Sequence, residues 1–519
     1  MNDGGALDSP THDIRASTES ERRRLENVRP PMWRNPEPAG RYHLIVIGAG
    51  TGGLVSAAIA VGLGARVALV ERHQMGGDCL NVGCVPSKGL IRSARAWHDA
   101  RTAADRFGGP AVHGSGDFPI AMARMRRLRA GLSRVDAAAR FRDMGVDVFF
   151  GEASFAGDEV VTVVGGNGTN ATLRFRRAIV ATGGRAAVPA IEGLSDTGYL
   201  TNETVFDLDI LPPRLLVVGG GPIGCELAQA FARLGSAVTI FDAGSRLLPR
   251  EDADASRIVE RALVADGVTI IHRATVKSAR RSHAVRTLTY AVDGEHRDVD
   301  GDAILVATGR APNVEGLKLA SAHVTYGPKG IDVDDRFRTS NRRVFAIGDC
   351  ASRYQFTHAA DTQARLAVPN ALFFGIGGGK ASGLVMPWCT FTSPEVAHTG
   401  MTALEVEQAG DTVETVTIPF ADVDRAVLDG DEEGFLRVYL KRGSDRILGA
   451  TLVTDHAGET ISELTAAIVN GIGLGGLGRT IHPYPTQAES IRKAADAHRR
   501  GRLTPSVKRL FDLFFRAIR

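Results

Sequence analysis

One feature constrains this chain more than any other: a single strand–glycine–helix pattern occurs in it twice. Leu44–Ile47 reads as a buried strand, runs into Gly-Ala-Gly-Thr-Gly-Gly at 48–53, and continues as an apolar helix from Leu54. Leu215–Val218 does the same, through Gly-Gly-Gly-Pro-Ile-Gly at 219–224 and a helix from Cys225. In each copy a second strand closes on an acid, Glu71 or Asp242, which lies 21 residues after the middle glycine, Gly50 or Gly221. Gly48 and Gly219 suit the tight turn, Gly50 and Gly221 the close approach of a pyrophosphate, and Gly53 and Gly224 the packing of helix on strand. The helix N-terminus offers free N–H groups to phosphate. The two acids are placed to accept hydrogen bonds from an adenosine ribose. The repeat therefore predicts an α/β chain with two Rossmann-like dinucleotide-binding domains.

The remaining sequence is arranged around these units. Apolar residues at 44% and charged residues at 23% of 519 exclude a disordered or fibrous chain. Lys and Arg number 62 against 59 Asp and Glu, so bulk charge gives no reason to expect nucleic acid. Arg124, Arg126, Arg127, Arg129 and Arg134 read as a solvated helix face, because no aromatic platform accompanies them. Five scattered cysteines, no apolar stretch of about 18 residues and no leader-like segment give the expectation of a cytoplasmic protein. Residues 1–40 form a proline-rich, charged arm, expected to be flexible or draped on the surface, with one short helix started by Thr18 and Glu21. The first dinucleotide-binding domain is expected over 41–190 with a return segment over 311–383, and the second over 191–310. Strands followed by helices at 384–496 predict a third, α+β domain. In the tail, 497–519, Val507, Leu510, Phe511, Phe514 and Ile518 share one helical face. That face is expected to pack on the protein's own body in preference to a membrane surface.

Met75–Lys88 carries the chemistry. Cys79 and Cys84 stand five apart in a glycine-rich turn entering a helix, directly after the first repeat unit. A zinc site needs further ligands, and no second Cys pair or Cys/His cluster supplies them, so no metal-ligating residues are expected. A structural disulfide does not suit a reducing compartment. A redox-active pair suits the position, since a helix terminus and Lys88 both favour a thiolate.

The stretch Gly76–Lys88, Gly-Gly-Asp-Cys-Leu-Asn-Val-Gly-Cys-Val-Pro-Ser-Lys, resembles the active-site signature of the flavin-dependent pyridine nucleotide–disulfide oxidoreductases, a group that includes glutathione reductase, dihydrolipoamide dehydrogenase and mercuric reductase. Ala-Thr-Gly at 181–183, Ala-Thr-Gly-Arg-Ala-Pro-Asn at 307–313 and Phe-Ala-Ile-Gly-Asp-Cys at 345–350 extend the likeness over residues 41 to about 496. The resemblance implies FAD on the first unit, with Thr182, Gly183, Gly309 and Asp349 around it and Asp349 on the ribityl chain. It implies NAD(P)H on the second unit, and a relay of two electrons through flavin to a Cys79–Cys84 disulfide. Cys84 would be the charge-transfer thiol and Cys79 the interchange thiol. Lys88 would sit by the flavin, paired with Glu226, because a buried lysine needs a counter-charge. The third domain resembles the family's dimerisation domain, which implies a homodimer whose active sites draw on both subunits. Asp242 repels a 2′-phosphate and favours NADH, while Arg246 and Arg250 nearby keep NADPH as the alternative.

The C-terminal segment departs from the disulfide-reducing members. They carry His-Pro-Thr-x-x-Glu; here Tyr484-Pro485-Thr486 leads to Glu489, so tyrosine takes the histidine's place, as in mercuric reductase. Tyrosine is a poor base at neutral pH. His482 is the substitute if the loop turns it inward. The cysteine pair that mercuric reductases carry near their C-terminus has no counterpart, the last cysteine being Cys389. Cys225, Cys350 and Cys389 are expected to be packing residues. The expected function is a mercuric reductase-like oxidoreductase acting on a thiol-reactive small molecule. A true mercury(II) reductase, a dihydrolipoamide dehydrogenase and a flavin–dithiol sensor are the alternatives.

Overall fold

Both copies of the repeat fold as strand, glycine turn, helix, strand: Arg41–Ile47, Thr51–Gly62 and Val67–Glu71, then Arg214–Val218, Pro222–Arg233 and Ala237–Phe241. The computed structural model describes residues 19–114, 116–165 and 170–518. A Cβ on Gly53 would lie 1.8 Å from the Gly48 carbonyl oxygen, and one on Gly224 would lie 2.0 Å from that of Gly219. Only glycine lets the helix sit this close to the turn.

The first sheet has the order Val146–Phe150, Val67–Glu71, Arg41–Ile47, Asn170–Val180, Val160–Val164, Glu152–Phe155. Its first four strands run parallel, and the last two fold back antiparallel. Leu44, Ile45 and Val46 are fully buried, as a parallel strand covered on both faces requires. The second sheet, Thr269–Ile271, Ala237–Phe241, Arg214–Val218 and Ala303–Val306, is parallel throughout. A three-stranded antiparallel meander over 275–301 accompanies it.

Where the chain passes between the two nucleotide units it forms a small ladder, Gly184–Ala186 against Arg310–Pro312. It then returns Val344–Ala346 to the first sheet, parallel to Asn170–Val180. A third, antiparallel sheet of five strands follows from Pro387 to Thr454. Helices Ala457–Val469 and Glu489–Gly501 belong to the same unit, whose core includes Phe420, Leu436, Leu452, Leu464 and Ile491, all fully buried.

Three expectations change. Thr18 lies outside the described residues, but the arm does form the helix Glu19–Val28, and that helix is built into the body. Glu21 and Arg24 are buried and Val28 is fully so. Arg24 donates to Glu21, to Gln74 Oε1 at 2.5 Å and to Asn81 Oδ1 at 2.6 Å. Arg29 then binds the carbonyls of Arg72 and His73, and Asn35 pairs in both directions with the backbone of Phe150.

The arginine stretch is likewise not one solvated face. Arg127 and Arg134 are exposed, but Arg129 is buried and bridges Glu21 of the arm at 2.6 Å and the Asn81 carbonyl at 2.7 Å. A buried guanidinium demands such partners, and sequence periodicity does not reveal them.

The C-terminal helix, Pro505–Ala517, does not pack on the body: none of its residues is buried. The pattern identified the apolar face correctly but not what covers it. No described helix is long and apolar enough to cross a membrane.

Removing one member of the buried Glu21–Arg24–Arg129 cluster should be costly. We expect Arg24→Ala to lower unfolding stability by about 3–5 kcal/mol in urea titrations, with Arg24→Lys recovering part of it. A loss below about 0.5 kcal/mol, the usual range for surface substitutions, would contradict a structural role for the arm.

Candidate active site

The redox loop is laid directly on the first glycine turn. The short helix Gly77–Asn81 carries Cys79, and the long helix Cys84–Phe107 begins at Cys84. A Cβ on Gly77 would stand 2.6 Å from Gly50 Cα, so the contact exists only between glycines. Asn81, between the cysteines, donates to the carbonyls of Met75 and Gly77, both at 3.0 Å. With Arg24 on its side-chain oxygen and Arg129 on its carbonyl, Asn81 locks the loop to the arm.

Both cysteines are free thiols, Cys79 half-buried and Cys84 exposed. A hydrogen bond from the Cys79 thiol, the Thr357 hydroxyl 3.4 Å from Cys84 Sγ and the Lys88 ammonium outweigh the desolvation that neighbouring groups impose on its sulfur and bring Cys84 down to about 6. Donating to Cys84, together with burial, pushes Cys79 well above the ordinary thiol range. The two shifts point the same way, favouring Cys84 as the thiolate and Cys79 as the thiol of the pair.

Lys88 Nζ donates to Glu226 Oε2 at 2.8 Å and lies 4.4 Å from the centre of the Phe391 ring. Burial opposes its charge, but Glu226 more than offsets this and holds Lys88 above its usual value. The other oxygen of Glu226 accepts the backbone N–H of Phe391 at 2.9 Å. Cys225 and Cys350 are fully buried, as expected of packing residues. Cys389 is only half-buried and lies near this group, and burial raises its thiol strongly.

At both nucleotide units the helix N-terminus is open: neither Gly50 nor Gly221 is accompanied by a capping side chain. Glu71 accepts the N–H groups of Ala49 and His73, both at 2.7 Å. Asp242 accepts those of Gly220 and Gly244, at 2.6 and 2.7 Å. The two acids thus stand identically at the ends of their second strands. Thr182 and Asn313 tie the two Ala-Thr-Gly segments together through Oγ1 to carbonyl at 2.6 Å and Nδ2 to carbonyl at 3.0 Å. A Cβ at Gly183 or Gly309 would meet nothing within 4 Å, leaving open space beside both segments. Asp349 is held by Arg310 Nε at 3.1 Å, and the same guanidinium pairs with Asp78, next to Cys79. Uncapped helix ends, paired acids and the open space at Gly183 and Gly309 fit a dinucleotide at each unit.

Tyr484, His482 and Glu489 make their contacts within the third domain. The Tyr484 hydroxyl donates to Asp424 Oδ2 at 2.9 Å, and the ring is 70% exposed. Glu489 is buried against Arg492 and makes no hydrogen bond to Tyr484. His482 turns inward onto Glu463, with Nε2 at 3.0 Å. Within one chain none of the three bonds to the cysteine pair. Among the described residues no group of three or more His, Cys, Asp or Glu gathers to hold a metal ion.

The comparisons with known proteins give the family. Residues 42–364 match the pyridine nucleotide-disulphide oxidoreductase family, and residues 386–495 match the dimerisation domain of the same name. The chain belongs to the pyridine nucleotide-disulphide oxidoreductase family. It is 36% identical over 461 residues to a mercuric reductase of Streptomyces lividans, covering 88% of this chain and 95% of that one. It is 31% identical over 472 residues to dihydrolipoyl dehydrogenase of Bacillus subtilis, covering 88% and 98%. The Cu(II) complex of the HOCl-induced flavoprotein disulfide reductase RclA from Escherichia coli superposes with a TM-score of 0.79 at 28% identity, over 88% of this chain and 100% of that one. This family member is therefore a mercuric reductase-like flavoprotein oxidoreductase that uses FAD and NAD(P)H.

Against the family motifs, the residues that sequence reasoning passed over are Asp78, Arg310 and Thr357. Arg310 had a signal, since an arginine inside a glycine turn between buried strands needs carboxylate partners. Thr357 had none, because it reaches Cys84 from 273 residues away.

The low Cys84 value predicts alkylation kinetics. The iodoacetamide reaction of the reduced holoenzyme should rise with pH around a midpoint near 6. Lys88→Met should move that midpoint upward. A wild-type midpoint near the unperturbed value of about 8.5 would contradict the assignment of Cys84 as the thiolate.

Proposed function

We propose that this oxidoreductase delivers electrons from NADH to a soft, thiolate-seeking metal ion through Cys79 and Cys84. FAD, when bound, supplies the two-electron transfer between the nicotinamide and the cysteine pair. Hydride equivalents break the Cys79–Cys84 bond and leave one thiolate and one thiol. Thr357 and Lys88 stabilise the thiolate on Cys84, and Glu226 keeps Lys88 charged. Cys79 is the sulfur offered to the acceptor. A dication taken by both sulfurs displaces the remaining proton, accepts two electrons as the S–S bond re-forms, and leaves as the neutral metal.

The observation that carries this reading is the state of Tyr484. Asp424 accepts a hydrogen bond from its hydroxyl and raises its pKa, so the residue in the histidine's place is held as a phenol. A phenol can donate a proton but not remove one, and a metal ion needs no base where dithiol exchange does. We assign Tyr484 to the active site of a second copy. Ile481 at 93%, Tyr484 at 70% and Val469 at 61% exposure leave an apolar surface on the third domain that suits a homodimer. Glu489 opens the helix that follows the segment, its backbone N–H on the Thr486 carbonyl at 3.2 Å.

A second reading has its own observation. The His482–Glu463 pair has the composition of an oriented base, which suits reduction of a small disulfide. The coenzyme choice rests on Asp242 together with Arg246, whose guanidinium is turned onto the carbonyls of Pro249 and Glu251 at 3.0 and 2.8 Å. That leaves no Arg246 cation beside Asp242 for a 2′-phosphate.

Steady-state assays should give Hg(II), presented as its dithiol complex, a kcat/KM at least tenfold above lipoamide and glutathione disulfide. Cys79→Ser or Cys84→Ser should reduce that activity at least a hundredfold. Faster turnover of a disulfide would displace the metal reading in favour of the His482 route. No steady turnover with any acceptor would point to a sensor. NADH should exceed NADPH by at least tenfold in flavin reduction, and equal rates would remove Asp242 from the selection of coenzyme.

A further inference from the structure

We propose that the C-terminal helix is an anchor for an anionic phospholipid surface. Pro505–Ala517 is a helix with its own start, a Thr504 side-chain cap and proline at the first position, so it is not a frayed end of the preceding helix. Its apolar side chains are large and uncovered: Leu510 is 66% exposed, Leu513 63%, Phe514 56% and Phe515 59%, with Phe511 and Ile518 beside them. At 100° per residue these six and Val507 fall on one side, while Lys508, Arg509, Asp512 and Arg516 fall together on the other. Such a segregation is what a helix lying in a membrane interface requires.

Charge selects the occupant. Residues 499–519 hold seven basic side chains and one acidic one, in a chain that is nearly balanced at 62 to 59. Among the described residues no ion pair joins Lys508, Arg509 or Arg516 to a carboxylate of the body, so these cations face outward uncompensated. A protein-covered helix needs only its apolar side, whereas a basic cluster flanking an amphipathic helix is complementary to anionic headgroups. Thirteen residues span about 20 Å, short of the roughly 30 Å hydrocarbon core, so the helix lies along the surface and does not cross it.

The test uses the full-length holoenzyme, a chain ending at Leu503, and the variants Phe514→Asp and Lys508→Glu/Arg509→Glu/Arg516→Glu. Each is sedimented with vesicles of phosphatidylcholine alone or with 30% phosphatidylserine. The full chain should bind the anionic vesicles at least tenfold more tightly than the neutral ones, and lose that preference in 0.5 M salt. Truncation and both variants should abolish binding while leaving flavin reduction by NADH unchanged. Equal sedimentation of the full and truncated chains would overturn the proposal. So would truncation that converts dimer to monomer without any vesicle binding by the full chain, which would assign the helix to a second copy.

Discussion

The redox helix, the second nucleotide unit and the third domain meet at one buried carboxylate. Glu226 rises from the helix of the second nucleotide unit, takes Lys88 of the redox helix on one oxygen and the Phe391 N–H of the third domain on the other. Its burial would be prohibitive without both partners. The need to satisfy it ties the three units together at this point, beside the Arg95–Asp455 and Arg437–Asp252 pairs. The same contact keeps Lys88 charged, and Lys88 in turn supports the thiolate at Cys84. Architecture and reactivity thus rest on one set of hydrogen bonds.

The dithiol loop is gripped from several directions. Glycine against glycine lays it on the first turn, Arg310 holds Asp78, and Arg24 and Arg129 converge on Asn81. The arm lies outside the segment matched by the family, which begins at residue 42. Its contacts reinforce the loop that carries the two cysteines. The geometry also separates the roles of the two sulfurs without any difference in their chemistry: Thr357 reaches both, but Lys88 acts on Cys84.

Much of this was legible in the residues. The repeated glycine pattern with its matched acids predicted both nucleotide units, because pyrophosphate binding leaves few choices at Gly50, Gly53, Gly221 and Gly224. The pairing of Lys88 with Glu226 followed from the resemblance and from the cost of an unpaired buried charge. What escaped was long-range. Arg129 looked like surface because periodicity reports a helix face, not the carboxylate that a distant segment brings to it. Thr357 had no local mark at all. The tail shows the converse limit: a moment defines an apolar face but does not choose between the protein's own core and an outside partner.

The return strand Val344–Ala346 has a consequence for how the chain is made. It pairs with Asn170–Val180, and the whole second nucleotide unit lies between them in sequence. On a ribosome the first sheet must therefore wait, one strand short, while a complete parallel domain emerges and folds as an insert. Until then residues 178–180 lack a neighbour on that side, the kind of edge on which chains aggregate. The short ladder of Gly184–Ala186 with Arg310–Pro312 closes the two ends of the insert against each other. By joining them, it shortens the effective loop that the last strand must span to come home.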